Sequence, residues 1–263
     1  LSKCDIFGDT LNSEQKNDFE TYQKSFGDIL EFEKPINETE KKKIDYVFYN
    51  NQNNDGLMSG YIAYLYLILN AKTKNKSVVF KAVRPSSANT VNHRLKEFET
   101  DLKGKTLLIC DVYYGVQTIK YLSSICKKIY IIDDHKVTKN NSTRFSNLSN
   151  VASFVGDTHC ACAYTWKFFY PKKEIPDYII EVDNKDKKLF LSFIDKTSQY
   201  ITSYINFNLT NNPYLNKNAP DYFEKVHHII NKSNNYKKVV GKYYDEVENN
   251  IKDQVARNAK QSK

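Results

Sequence analysis

Three apolar, strand-like runs each deliver an aspartate at or just beyond their carboxyl end, and no other pattern limits the fold as tightly. Ile44–Tyr49 (IDYVFY) is followed by Asp55, Thr106–Cys110 (TLLIC) by Asp111, and Ile129–Ile132 (IYII) by Asp133, Asp134 and His135. Helix-like segments separate them: Leu57–Ala71, with Leu57, Tyr61, Tyr64, Leu65 and Ile68 at helical spacing, and Val116–Lys127. Strands alternating with helices predict an α/β domain, a doubly wound and mostly parallel sheet flanked by helices and joined by right-handed crossovers. Ligands of such sheets gather outside the carboxyl ends of the strands. Carboxylates converging there repel one another unless a cation lies between them. A hard divalent ion, Mg²⁺ or Mn²⁺, suits oxygen ligands. The pattern therefore predicts metal-assisted phosphate chemistry.

The alternation occupies residues 44–206. It adds a strand at Val78–Val83, a short amphipathic helix at Asn92–Lys103, and helices at Cys160–Tyr170, Ile179–Asp183 and Leu189–Ile205. Residues 1–43 are polar and read as an N-terminal extension with a weak helical pattern, in which Ser13 and Lys16 do not make a capping box. Residues 207–263 are rich in Asn, Lys and Tyr, carry Pro213 and Pro220 in loops, and end in a long charged helix over Val239–Ala259.

Composition narrows the partners. The chain has 263 residues, 40% of them hydrophobic, enough for a substantial core. Its most apolar helix, Leu57–Ala71, falls short of the ~20 residues that cross a bilayer, so no membrane span is expected. Cys4, Cys110, Cys126, Cys160 and Cys162 make no disulfide ladder or zinc pattern, which favours a reducing compartment. Leu1 fits a processed N-terminus, and a basic processed chain fits the mitochondrial matrix as well as the cytoplasm. The net charge of +8 comes almost entirely from lysine, the arginines being Arg84, Arg94, Arg144 and Arg257. Lysine, asparagine and tyrosine in abundance fit coding bias in an AT-rich genome. Attraction to nucleic acid is the functional alternative, and it rests on charge alone because the lysines form no concentrated patch.

The motifs taken together resemble the Asp-His-His (DHH) phosphoesterase superfamily. A family pattern of the type YHxxCxDGxxAA has its counterpart in Tyr49–Tyr61 (YNNQNNDGLMSGY), a strand ending in aspartate in LLICDVYY with Asp111, and DHHKT in Asp133–Thr138 (DDHKVT). A fourth stretch, SGAxLAWxxFxP, is similar to Cys160–Pro171, followed by PDYIIEVDNKD with Asp186. The resemblance covers about residues 44–190 and implies a DHH-type domain. It implies a metal site of Asp55, Asp111, Asp134 and Asp186, with His135 contacting the scissile phosphate, Lys136 beside it, and Ser59 and Arg84 as phosphate neighbours. The Gly56 turn would let a helix starting at Leu57 aim its N-terminus at an anion.

The departures are as informative. Asn50 stands where the family has histidine, Asn53 replaces its polar partner, and Asp134 replaces the first histidine of DHH. Asparagine is a weak neutral ligand, so the resemblance implies one divalent site, or none, in place of two. Nothing after residue 206 resembles the glycine-rich second domain usual in the family. Two functions follow as expectations: a weak metal-dependent phosphoesterase acting on a phosphate ester or short nucleic acid, or an inactive relative kept as a protein subunit of a larger, mitochondrial assembly.

Plainer readings compete at single positions. Asp55-Gly56 by itself reads as a turn, and Asp133-Asp134 as a helix cap. His227 and His228 point about 100° apart on a helix and make no metal pair. His159 with Cys160 and Cys162 lacks a fourth zinc ligand nearby in sequence.

Overall fold

The computed structural model describes residues 12–29, 36–70, 77–83, 98–189 and 219–231. Arg84, the Val239–Ala259 segment and nearly all of Leu189–Ile205 lie outside the described residues. Five parallel strands form one sheet: β1 (Tyr46–Asn50), β2 (Val79–Val83), β3 (Thr106–Cys110), β4 (Lys128–Asp133) and β5 (Val151–Val155), in the order β2-β1-β3-β4-β5. Helix α1 spans Ser13–Gly27, α2 Glu38–Lys41, α3 Asn54–Tyr64, α4 Glu99–Leu102, α5 Val116–Ile125, α6 Lys136–Ser146, α7 Ala161–Phe169, α8 Asp177–Lys187 and α9 Ala219–Asn231. A π-helical turn, Leu65–Leu69, continues α3. The architecture is the doubly wound α/β fold expected from the alternation. No described helix is long and apolar enough to cross a membrane.

Alternation along the strands builds two cores, one on each face. Val47, Tyr49, Leu108, Cys110, Tyr130 and Ile132 pack with α1, α3, α7, α8 and α9. Their sequence neighbours Phe48, Leu107, Ile109, Ile129 and Ile131 face the other way, onto Leu102 of α4, Ile119 and Leu122 of α5, and Phe145 of α6. Strands buried on both faces read as continuous apolar runs, which is why β3 and β4 stood out in the sequence. The chain winds outward from β1 to β2, then returns to β3 and proceeds to β5. The direction reverses between β1 and β3, and the carboxyl ends of those strands frame the crevice where such sheets bind ligands.

Several elements differ from the sequence expectation. Strand β5 and helix α6 were not anticipated. Helix α6 (KVTKNNSTRFS) is poor in strong helix formers, and what ties it down is packing through buried Thr138 and Phe145. Helix α3 begins at Asn54, three residues before Leu57, because Asn53 caps it by accepting from the Gly56 amide at 2.8 Å. Helix α1 has a true capping box, formed by Asn12 and Gln15.

The N-terminal segment is no loose appendage, since Tyr22, Phe26 and Ile29 are buried in the main core. The Tyr22 hydroxyl donates to Asp183 Oδ2 at 2.7 Å. His159 Nδ1 meets the same oxygen at 2.6 Å, and the Cys160 amide donates to Asp183 Oδ1 at 2.6 Å. Ser25 Oγ lies 3.2 Å from His159 Nε2, giving a Ser-His-Asp connectivity. Ser25, however, donates to the Tyr22 carbonyl of its own helix, and Asp183 is shared among three partners, so the network clamps α1 to α8. Tyr22→Phe is expected to lower the unfolding free energy by about 2 kcal/mol, a hydrogen bond to a charged group, as read from urea denaturation. Unchanged stability would show that the clamp is not made.

Candidate metal centre

The rim at the carboxyl ends of β1, β3 and β4 is crowded with acids. Asp111 follows β3 directly and takes a left-handed backbone (φ 52°), sparsely populated for residues other than glycine but tolerated by Asp. Its side chain is buried; Oδ2 accepts from Asn50 Nδ2 at 3.1 Å, and Oδ1 has no hydrogen-bond partner. Asp133, the last residue of β4, is fully buried and accepts from the Asp134 amide at 3.0 Å, from His135 Nδ1 at 2.7 Å and from the Thr138 hydroxyl. His135 Nδ1 also lies 3.6 Å from Asp111 Oδ1 and 3.6 Å from Asp134 Oδ1.

Asp55 sits in the first turn of α3, buried, with Oδ2 accepting from the Ala161 amide at 2.9 Å and Oδ1 from the Cys162 amide at 2.6 Å. It thereby caps α7 from outside and draws that helix onto the rim. Asp186, on the last turns of α8, is partly exposed. Oxygens of Asp55, Asp134 and Asp186 come within 4.8 Å of one another, and so do ligand atoms of Asp111, Asp133, Asp134 and His135. The two groups share Asp134. These buried acidic and histidine clusters can bind a metal ion.

Electrostatics show the strain of this crowding. Burial first, then Asp133 and Asp134, push the Asp111 carboxyl up to about 7, against the opposing effects of His135 and Asn53. Burial and the charges of Asp111, Asp134 and Asp186 raise Asp55 well above the carboxylate range, against the Cys162 amide. The hydrogen bond to Asp133 raises His135 to about 9 against the effect of burial, with Asp133, Asp111 and Asp134 adding to the rise. Both Asp111 and His135 hold protons more tightly folded than unfolded. The Asp111 contribution is complete below the ordinary aspartate value of 3.8 and is lost as pH rises through about 7; that of His135 is complete below 6.5 and is lost through about 9. Metal-free protein is therefore expected to melt at progressively lower temperature from about pH 5 to pH 9 in EDTA. A flat or rising profile would contradict these shifts.

Of the residues expected at this site, the rim brings together Asp55, Asp111, Asp134, His135 and Asp186, with Asn50 beneath Asp111 and Asn53 capping α3. Lys136 is exposed at the start of α6. Ser59 is displaced from its expected place as a phosphate neighbour: it lies in the second turn of α3, fully buried, its hydroxyl without a partner, so no solvent-borne phosphate reaches it. Gly56 lies within α3, not in a turn, and lets that helix touch the sheet; a Cβ there would stand 2.4 Å from the Asn50 carbonyl oxygen and 2.7 Å from Asp111 Oδ2. Lys187 is the residue sequence reasoning missed, and Asp133, named among the converging acids, was given no role of its own; Lys187 Nζ bonds Asp134 Oδ2 and lies 3.4 Å from Asp186 Oδ2. Cys160 and Cys162 have their Sγ atoms 3.2 Å apart near Asp55, but burial raises both thiols and keeps them protonated, which disfavours a soft metal. His227 packs its Nδ1 3.1 Å from the Tyr61 hydroxyl while His228 is exposed, so the two diverge.

No protein-family model matches the chain. An uncharacterized protein of Acanthamoeba polyphaga mimivirus is 21% identical over 164 residues, covering 62% of this chain and 38% of the viral protein. An uncharacterized protein from Helicobacter pylori G27, known from a crystal structure, shares the fold with a TM-score of 0.52 at 13% identity, over 77% of this chain and 62% of that one. The chain thus spans less than two thirds of either relative, and the structural likeness speaks to the fold alone.

Proposed function

We propose that the protein is a DHH-type, metal-dependent phosphoesterase that runs weakly on a single divalent ion, Mg²⁺ or Mn²⁺. The observation that carries this reading is Asp111 Oδ1, a buried carboxylate oxygen without a hydrogen-bond partner among converging acids. The nearest positive group, His135 Nδ1, stands 3.6 Å away and is committed to Asp133, so a buried acceptor in that position has room for a cation to complete it. Asp111 and Asp134, which fall in one group with Asp133 and His135, would hold the ion, with Asp55 and Asp186 on the outer side of Asp134. When bound, the ion would activate a water and neutralise charge on the phosphoryl oxygens. Asp133 fixes Nδ1 of His135 and keeps the ring protonated near neutral pH, leaving its other nitrogen to donate to a phosphate. Lys136, exposed at the next position in the chain, would add positive charge nearby.

A second reading has its own support. The Asn50 amide donates to Asp111 where the resemblance calls for a histidine ligand, and Asn53 caps α3 through its Oδ1 while its side chain also acts on Asp111. Those contacts favour an inactive relative retained as a protein subunit of a larger assembly. Hydrolysis of oligonucleotides, cyclic dinucleotides or polyphosphate with Mn²⁺ separates the two. Turnover abolished by Asp111→Ala supports the phosphoesterase; no turnover with any of these substrates and either metal supports the inactive relative.

A further inference from the structure

We propose that Lys187 is a tethered cation that occupies the outer half of the acidic rim and excludes a second divalent ion from it. This rests on the metal-site reading above and deepens it. Lys187 lies in the last turn of α8, where a lysine also complements the helix dipole. A surface role would leave its ammonium in water, but the side chain is only 18% exposed. It reaches a residue 53 positions away on another element, Asp134, which is itself 7% exposed, and it leans on Asp186 at 3.4 Å. Asp134 and Asp186 are two of the three carboxylates, with Asp55, that could surround an ion on that side. Lys188 follows in the left-handed conformation and ends the helix, fixing the point from which Lys187 extends.

An ammonium and a divalent ion cannot share these oxygens, because like charges at such separations repel strongly even at protein-surface screening. The inner group around Asp111 is then left for one metal. Asp134, common to both groups, is the hinge of the arrangement: its Oδ2 goes to Lys187 and its Oδ1 faces His135.

Mn²⁺ binding and metal-free melting of the wild type, Lys187→Met, Lys187→Arg and Lys187→Met/Asp134→Asn test this. Electron paramagnetic resonance of free Mn²⁺ at neutral pH gives the stoichiometry. The expected result is one ion for the wild type and Lys187→Arg, and two for Lys187→Met, with the added site at least about tenfold tighter than any second site in the wild type. In EDTA, Lys187→Met should melt below the wild type, and the added Asp134→Asn should restore most of the loss. Two ions in the wild type, or the same single ion in Lys187→Met, would overturn the exclusion. If neither protein binds Mn²⁺, the metal-site reading fails, and the exclusion of an ion by Lys187 fails with it. A Lys187→Met protein that binds two ions yet melts unchanged in EDTA would also overturn the role of Lys187 as the rim's own counter-ion.

Discussion

Gly56→Ala is expected to remove about 3 kcal/mol of stability, the upper end of what overpacking a close contact costs. The added methyl would meet the Asn50 carbonyl oxygen at 2.4 Å, Asn50 Cβ at 2.5 Å and Asp111 Oδ2 at 2.7 Å. The first neighbour is backbone in the last residue of β1, and the third is a carboxylate held in a left-handed bend, so neither can step aside cheaply. Helix α3 would have to lift from the strand ends, carrying Asp55 away from the α7 amides. Gly27→Ala serves as the control, because a Cβ there meets nothing within 4 Å. Urea unfolding should show a large loss for Gly56→Ala and little change for Gly27→Ala. Equal stability of the two would mean that α3 does not seat on β1 as described.

Asp111→Asn should move stability and metal binding in opposite directions. At pH 8 the carboxylate, raised to about 7 by burial and by Asp133 and Asp134, is mostly ionised and repelled by its neighbours. The neutral amide removes that repulsion while an oxygen remains to accept from Asn50, so the metal-free variant should melt above the wild type. The same change removes a carboxylate ligand from the proposed inner site. Mn²⁺ affinity should fall by more than the ~10–100-fold typical of losing a supporting outer-sphere group. Thermal melts at pH 8 with and without Mn²⁺ read both effects. A variant that Mn²⁺ stabilises as strongly as it does the wild type would remove Asp111 from the metal centre.

The sheet was legible because β3 and β4 carry continuous apolar runs, Leu107–Cys110 and Ile129–Ile132, and β1 nearly so, as strands buried on both faces do. Convergence of Asp55, Asp111 and Asp134 followed from their places after those strands. Asp186 needed the motif resemblance, since nothing in the local pattern of α8 distinguishes it. The role of Gly56 was misread because an Asp-Gly pair after a strand resembles a turn, whereas the Asn53 cap starts the helix before it. Lys187 escaped notice because Lys185, Asp186, Lys187 and Lys188 look like a solvated helix end. Only the approach of α8 to the end of β4 turns one of these lysines inward. The anchoring of His135 by Asp133, and not by its neighbour Asp134, depends on the pleat at the strand end and is not visible in the sequence.

Anomalous diffraction from crystals equilibrated with Mn²⁺ tests the central claim most directly. One peak within coordinating distance of Asp111, shared with Asp134 and lost in Asp111→Asn, is the predicted result. Saturating Mn²⁺ with no peak among Asp55, Asp111, Asp134 and Asp186, or a peak elsewhere that Asp111→Asn leaves in place, would contradict it.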